Sequence, residues 1–275
     1  MSAFLTMWAQ TVNDALNNQV DHTWVSGGLP ETIPDITGGY NADASWSSVW
    51  PTTVHTVWKS YGDAAIATKY WDDIMLYVNK TVSGMKGGDI KGIFSTWGDW
   101  CPPGDAPGDD QGGKPEASFS AGATFLGDLA NIIEMSQALG APDTARLETL
   151  WQTLAAQFVV DWGHGGAWFG SSPTDGAQSA QAHALGVGVV PDVNRAAITQ
   201  YLMADIAKHN NHLSVGIIGM KHLCRALTAT GNSYTAVNIS LQTDYPSFGW
   251  TFNHPDEPAT TLWELWNGPS EGPGM

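Results

Sequence analysis

Helix-period hydrophobic stretches recur along almost the whole chain, and the connections between them alternate between very short and very long. Ser118 to Leu139 sets Phe119, Leu126, Leu129 and Ile133 on one face, and Thr144 to Val160 repeats the pattern with Leu147, Leu150, Trp151, Leu154 and Phe158. Only Gly140-Ala141-Pro142-Asp143 separates them, a stop followed by a cap, so the two form an antiparallel hairpin. Ala177 to Val189 and Val193 to Lys208 pair in the same way across Pro191-Asp192, as do Val215 to Thr230 and Ser233 to Gln242 across Gly231-Asn232. Ala3 to Leu16, Val49 to Tyr61 and Asp63 to Val78 add three helices, with Gly62-Asp63 as break and N-cap, and Thr260 to Trp266 begins another. Loops rich in glycine, proline and aromatic residues fill Ser26 to Tyr40, Thr81 to Pro115 and Trp162 to Asp175. A ring of helical hairpins produces this rhythm, with short turns closing one side and long loops building a cleft on the other. The expectation is an all-α chain forming a single domain over residues 1–275, with no exact internal repeat.

The charge balance narrows the partners. Twenty-seven acidic residues against 11 basic ones give a formal charge of −16, which repels phosphates and argues against nucleic acid or an anionic membrane. The sequence contains no apolar run of about 18 residues, the minimum for a membrane-spanning helix. Met1 to Gln10 has neither the basic flank nor the cleavage site of a signal peptide. Cys101 and Cys224 are too few for a four-cysteine zinc site, and their spacing leaves a disulfide and two thiols equally open. Asn79-Lys80-Thr81 and Asn238-Ile239-Ser240 are glycosylation sequons.

Phosphate loops, dinucleotide glycine patterns, zinc-protease motifs and nucleophile elbows are missing from the sequence. What stands out is 14 tryptophans. Trp46, Trp97, Trp100, Trp162 and Trp250 sit beside glycine, aspartate or serine, and Trp168, Trp263 and Trp266 join them as rings read outside the regular helical patterns. An indole suits the apolar face of a pyranose, and it also fills cores. Two carboxylates lie among these rings, Asp99 in Trp97-Gly98-Asp99-Trp100 and Glu264 in Leu262-Trp263-Glu264-Leu265-Trp266. Glycosidic hydrolysis uses such a pair, one group as acid and one as base. Partial burial between two tryptophans is expected to raise the pKa of Glu264 toward that of a useful base. A helix-start acid complementing the dipole is the structural alternative. The run Asp105 to Asp110 reads as a solvated acidic loop, since it lacks calcium-loop spacing. His209 and His212 are a close pair with a weak claim on a metal.

Three segments, His212 to Gly219, Asp244-Tyr245-Pro246-Ser247-Phe248-Gly249-Trp250 and Ala259 to Trp266 with Gly268, resemble the late catalytic segment of α-L-rhamnosidases, in the same order and spacing. Gly28-Leu29-Pro30 with Pro34, Trp46 followed by Tyr61-Gly62-Asp63, Gly98-Asp99-Trp100, Gln178 to Ala182 and Val189-Val190-Pro191 extend the resemblance over nearly the whole chain. It implies an (α/α)6 toroid, inverting hydrolysis of terminal α-L-rhamnosides, no cofactor and no metal. By resemblance Glu264 is the general base, Trp46 and Trp100 wall the rhamnose with Trp97 and Trp263 beside them, and Asp99 orients rather than transfers a proton.

Two departures accompany the match. The family's general acid lies in an Asp-Glu-Arg-x-Gly-Trp-x-Gly-Asp type of motif ahead of the helix matched by Ala3 to Leu16, and these 275 residues contain none. The family continues through an Asn-His pair, whereas this sequence runs out at Gly272-Pro273-Gly274-Met275. The resemblance therefore implies a toroid incomplete at both ends, with an apolar seam open to self-association. It also leaves a second function open, a rhamnoside-binding module without turnover. The partner in either case is a rhamnose-containing glycoside or polysaccharide, and the substrate class implies an extracellular setting.

Overall fold

A computed structural model describes residues 43–104, 114–266 and 268. The expected helix Ala3 to Leu16, the loop Ser26 to Tyr40, the acidic run Asp105 to Asp110 and the stretch Gly272 to Met275 lie outside the described residues. Among those that are described, every regular element is helical. In chain order they are α1 (Ala44–Ser47), α2 (Val49–Tyr61), α3 (Ala64–Lys69), α4 (Trp71–Gly84), α5 (Ala117–Leu139), α6 (Thr144–Trp162), α7 (Ala177–Gly186), α8 (Asp192–Lys208), α9 (Ile217–Ala229), α10 (Ser233–Ser240) and α11 (Phe248–Phe252), with short 3-10 turns at Lys86–Gly88, Ile90–Gly92 and His164–Gly166. No helix among the described residues is long and apolar enough to cross a membrane. The described residues divide into two compact units, 43–96 with 121–158, and 97–104 and 114–120 with 159–266 and 268.

In the first unit α2 follows the sequence pattern from end to end and stops at Gly62, whose φ of 67° is a left-handed conformation open to glycine. Asp63 then caps α3, its Oδ1 accepting from Ala65 N at 3.0 Å. The single helix expected over Asp63 to Val78 is two helices, broken at Tyr70. Tyr70 is buried with its ring edge-on to Trp50, centroids 5.2 Å apart, so packing sets its direction and overrides the local helical period. The segment after α4 is less irregular than expected. Ile90 is fully buried and its N–H donates to Gln157 Oε1 at 3.2 Å. Tyr77 and Thr52 both donate to Asp128, at 2.8 and 3.3 Å, which satisfies a buried carboxylate.

In the second unit α7 is a short central post. From Ala177 to Leu185 every residue is buried. Burying a helix on all sides explains its small side chains, Ala177, Ser179, Ala180, Ala182 and Ala184. It packs against α8 and α9, and α9 packs in turn against α10, so the two hairpins expected in this part of the chain are present. Its buried polar groups each hold a different loop. Gln178 accepts from Ser214 N at 2.7 Å and donates to His212 O at 3.3 Å, while Gln181 accepts from Phe169 N and donates to Phe169 O at 2.7 and 2.8 Å. Cys101 and Cys224 are thiols rather than a disulfide.

His183 of α7 stacks on His222 of α9 with ring centroids 4.3 Å apart and planes 21° from parallel, both rings buried. Burial, then Lys221 and Arg225, push His222 down to about 3, and burial followed by the charge of His222 and Lys221 lowers His183 as well. A depressed histidine contributes stability above its unfolded value of 6.5, and the contribution is lost as pH falls through that value toward the folded one. The stability difference between the wild type and His222→Phe is therefore expected to shift by about 2 kcal/mol against the wild type between pH 7.5 and pH 5. Urea titrations at the two pH values measure it, and a difference that stays constant contradicts neutral burial of this ring.

Candidate active site

The candidate residues of the second unit are held by one buried carboxylate. Asp99 is wholly buried in the loop ahead of α5. Its Oδ1 accepts from Gly219 N at 2.8 Å, and its Oδ2 accepts from Gly216 N at 2.8 Å and from Ser179 Oγ at 2.5 Å. Burial pushes this carboxyl from 3.8 up to about 6, against the pull of Ser179 and the amides of Gly219, Gly216 and Ile218. Asp99 thus sits on the first turn of α9, where unpaired backbone N–H groups favour an anion. The neighbouring Trp100 carbonyl accepts from Ile217 N at 2.9 Å, which stitches the Trp97 to Trp100 loop to the same turn.

Glycine is required on the facing side. A Cβ on Gly216 would lie 2.1 Å from the Trp100 carbonyl oxygen, and one on Gly219 would lie 2.4 Å from Ser179 Oγ and 2.5 Å from Asp99 Oδ2. Side chains at either position would force the loop off the helix. The loop presents Trp97 and Trp100 partly exposed, edge-on to each other with centroids 5.1 Å apart.

The segment carrying Glu264 reaches the same place from the other direction. Trp266 Nε1 donates to Val215 O at 3.1 Å, one residue before Gly216, and its ring meets Phe248 at 5.4 Å. Trp263 meets His254 at 5.5 Å, and His254 meets Trp250 at 5.3 Å. Residues 260–266 form an irregular stretch of bends and a turn rather than the helix start expected from their sequence, and Glu264 is exposed rather than partly buried between tryptophans. Trp263 and Trp266 seat against different partners and Leu265 is buried, so the chain is pinned in an irregular path that leaves Glu264 exposed. Exposure leaves Glu264 open to water.

Trp46 lies on α1 in the first unit and is partly exposed. Asp43 holds that helix, accepting from Ser45 N at 2.8 Å and from Thr96 N at 2.6 Å. Of the other tryptophans singled out by sequence, Trp162 is core, buried against Phe119 with its Nε1 donating to Glu116 Oε1 at 2.7 Å. Trp168 stacks flat on His164 at 3.6 Å. His209 and His212 each face an aspartate, Asp205 at 3.2 Å and Asp244 at 2.9 Å. Among the described residues no three His, Cys, Asp or Glu side chains gather as a metal site.

Sequence reasoning missed Ser179 and Gln178 as supports of this site. The signal was present in Gln178-Ser179-Ala180-Gln181, uncharged polar residues repeated in an all-small helix, which need internal partners once the helix is buried.

Comparison with known proteins supplies the class. The fold matches that of an α-L-rhamnosidase from Dictyoglumus thermophilum with a TM-score of 0.80 at 23% identity, over 95% of this chain and 28% of that one. It matches a Streptomyces avermitilis α-L-rhamnosidase complexed with L-rhamnose with a TM-score of 0.78 at 24% identity, over 97% of this chain and 23% of that one. These likenesses establish the (α/α)6 fold of six-hairpin glycosidases. In sequence, α-L-rhamnosidases of Formosa agariphila and Streptomyces avermitilis are 24% and 26% identical over 270 residues, covering 98% and 96% of this chain. The chain spans 28% and 23% of their respective lengths. The family model for the bacterial alpha-L-rhamnosidase six-hairpin glycosidase domain matches residues 1–275, and the chain belongs to that family.

Proposed function

We propose that this chain carries the sugar-recognition and water-activating part of an α-L-rhamnosidase, hydrolysing terminal α-L-rhamnosides with inversion. Glu264 acts as general base, taking a proton from water as the water oxygen attacks the anomeric carbon of rhamnose. The leaving oxygen departs on the opposite face. Trp97, Trp100 and Trp263 of the second unit supply flat apolar walls for the sugar, a use that indole rings suit. Asp99 acts through Trp100, fixing the loop rather than touching substrate, in keeping with its complete burial.

The observation that carries this reading is the shared anchorage at the start of α9. Asp99 ties the Trp100 loop to Gly216 and Gly219, while Trp266 ties the Glu264 segment to Val215. A solved relative holds L-rhamnose, which gives the ligand to try first. Tryptophan fluorescence of the chain is expected to change saturably with L-rhamnose, and Trp100→Ala is expected to weaken that binding roughly tenfold, as loss of a stacking platform does. Equal rhamnose affinity in the folded Trp100→Ala variant contradicts the assignment.

A further inference from the structure

Beside the α9 anchor lies a second feature, a pocket of about 290 Å³ in the same unit. Its size is at the lower end of small-molecule sites and suits a single sugar ring. Three segments wall it, and each continues directly into a candidate rhamnose-site element. Pro103 and Gly104 follow Trp100 in the chain. His212 to Ser214 run into Val215 and Gly216, which hold Trp266 and Asp99. Asp244 to Pro246 lead to Phe248, the ring beneath Trp266.

The walls are built for hydroxyl groups. His212 meets protein oxygens at both ring nitrogens, the carbonyls of His209 and Asn210 lying 3.2 and 3.1 Å from Nδ1 and Asp244 Oδ1 lying 2.9 Å from Nε2. That pair positions the Asp244 carboxylate, whose side chain remains 76% exposed. His209 is oriented by the buried Asp205 on its own helix, and Lys208 and Asn210 border it. Gln178 fixes the His212 to Ser214 wall from below through Ser214 N and His212 O. An aromatic leaving group would strip water from these donors and acceptors and return no hydrogen bonds. A sugar offers hydroxyls that donate and accept at once, and carboxylate, amide and ammonium groups complement them.

We propose that this pocket is the leaving-group subsite and that it takes a neutral pyranose, so that the preferred substrate is a rhamnosyl saccharide rather than a rhamnosyl phenol, with Asp244 and Lys208 as specificity-determining residues. The proposal rests on the rhamnosidase reading for what occupies the adjoining site. The test is calorimetric titration of the 275-residue chain with L-rhamnose, with an α-L-rhamnopyranosyl-D-glucose disaccharide and with p-nitrophenyl α-L-rhamnoside, repeated in Asp244→Ala and in Lys208→Ala after thermal melts have shown each variant folded. The disaccharide is expected to bind at least tenfold more tightly than rhamnose. Both variants are expected to lose most of that advantage while leaving rhamnose and the aryl rhamnoside within twofold. A disaccharide no tighter than rhamnose, or an advantage that survives both substitutions, overturns the proposal. Disaccharide binding that falls in the variants while rhamnose alone fails to bind supports the pocket and counts against the rhamnose site. Absence of binding by all three ligands overturns both.

Discussion

Asp99→Ala is expected to destabilise the chain by on the order of 3–5 kcal/mol. The substitution leaves the amides of Gly216 and Gly219 and the Ser179 hydroxyl buried without their acceptor. Each orphaned donor costs about 1–3 kcal/mol, and water has no route to a group with no exposed surface. Removing one partner of a buried charged network is among the costliest single changes. For a chain of this length the fall in melting temperature is roughly 5–10 °C. Ser179→Ala, which removes one donor and leaves the carboxylate its amide partners, is expected to cost about 1–2 kcal/mol. Asp99→Asn separates charge from geometry. A carboxyl raised from 3.8 to about 6 contributes stability that is fully present below 3.8 and is lost as pH rises through 6. The asparagine variant lacks that dependence, so its deficit against the wild type is expected to shrink by about 3 kcal/mol between pH 3.5 and pH 7.5. Chemical denaturation across that range measures it. Equal melting temperatures for wild type and Asp99→Ala would mean that Asp99 does not anchor the loop.

The helical hairpins were legible because their boundaries are written in local chemistry. Gly62 in a left-handed turn, the Asp63 cap and the Gly140 to Asp143 link act within a few residues, and the helices start and stop where those residues say. What was not legible depends on partners far along the chain. Tyr70 breaks a helix because Trp50 takes its ring, and residues 260–266 fail to become one because Val215 and Phe248 hold Trp266 while His254 holds Trp263. The same limit applies at the site. Asp99 drew attention through its flanking tryptophans, but its partners are backbone amides of α9 and a serine of α7, and neither has a local signature. The expected burial of Glu264 assumed that adjacent tryptophans cover what lies between them. In an irregular segment neighbouring side chains point to different partners, and the carboxylate between them faces solvent. Family resemblance, carried by whole motifs, was less sensitive to these local errors.

The second large effect concerns chemistry. Glu264→Gln removes the only group proposed to accept a proton from the attacking water, and loss of a positioned general base lowers turnover by about 10²–10⁴-fold. Gln keeps the size and polarity of an exposed side chain, so folding is expected to be unchanged. A natural rhamnoside also needs an acid at the leaving oxygen, and that demand would mix two roles in one rate. α-L-Rhamnosyl fluoride separates them, because fluoride departs without protonation while attack by water still requires the base. The most direct test is therefore fluoride release from α-L-rhamnosyl fluoride by the folded 275-residue chain beside its Glu264→Gln variant. The account predicts turnover by the wild type and a loss of about 10³-fold in the variant. Equal rates in the two, or a folded wild type that binds rhamnose and releases no fluoride, would contradict it.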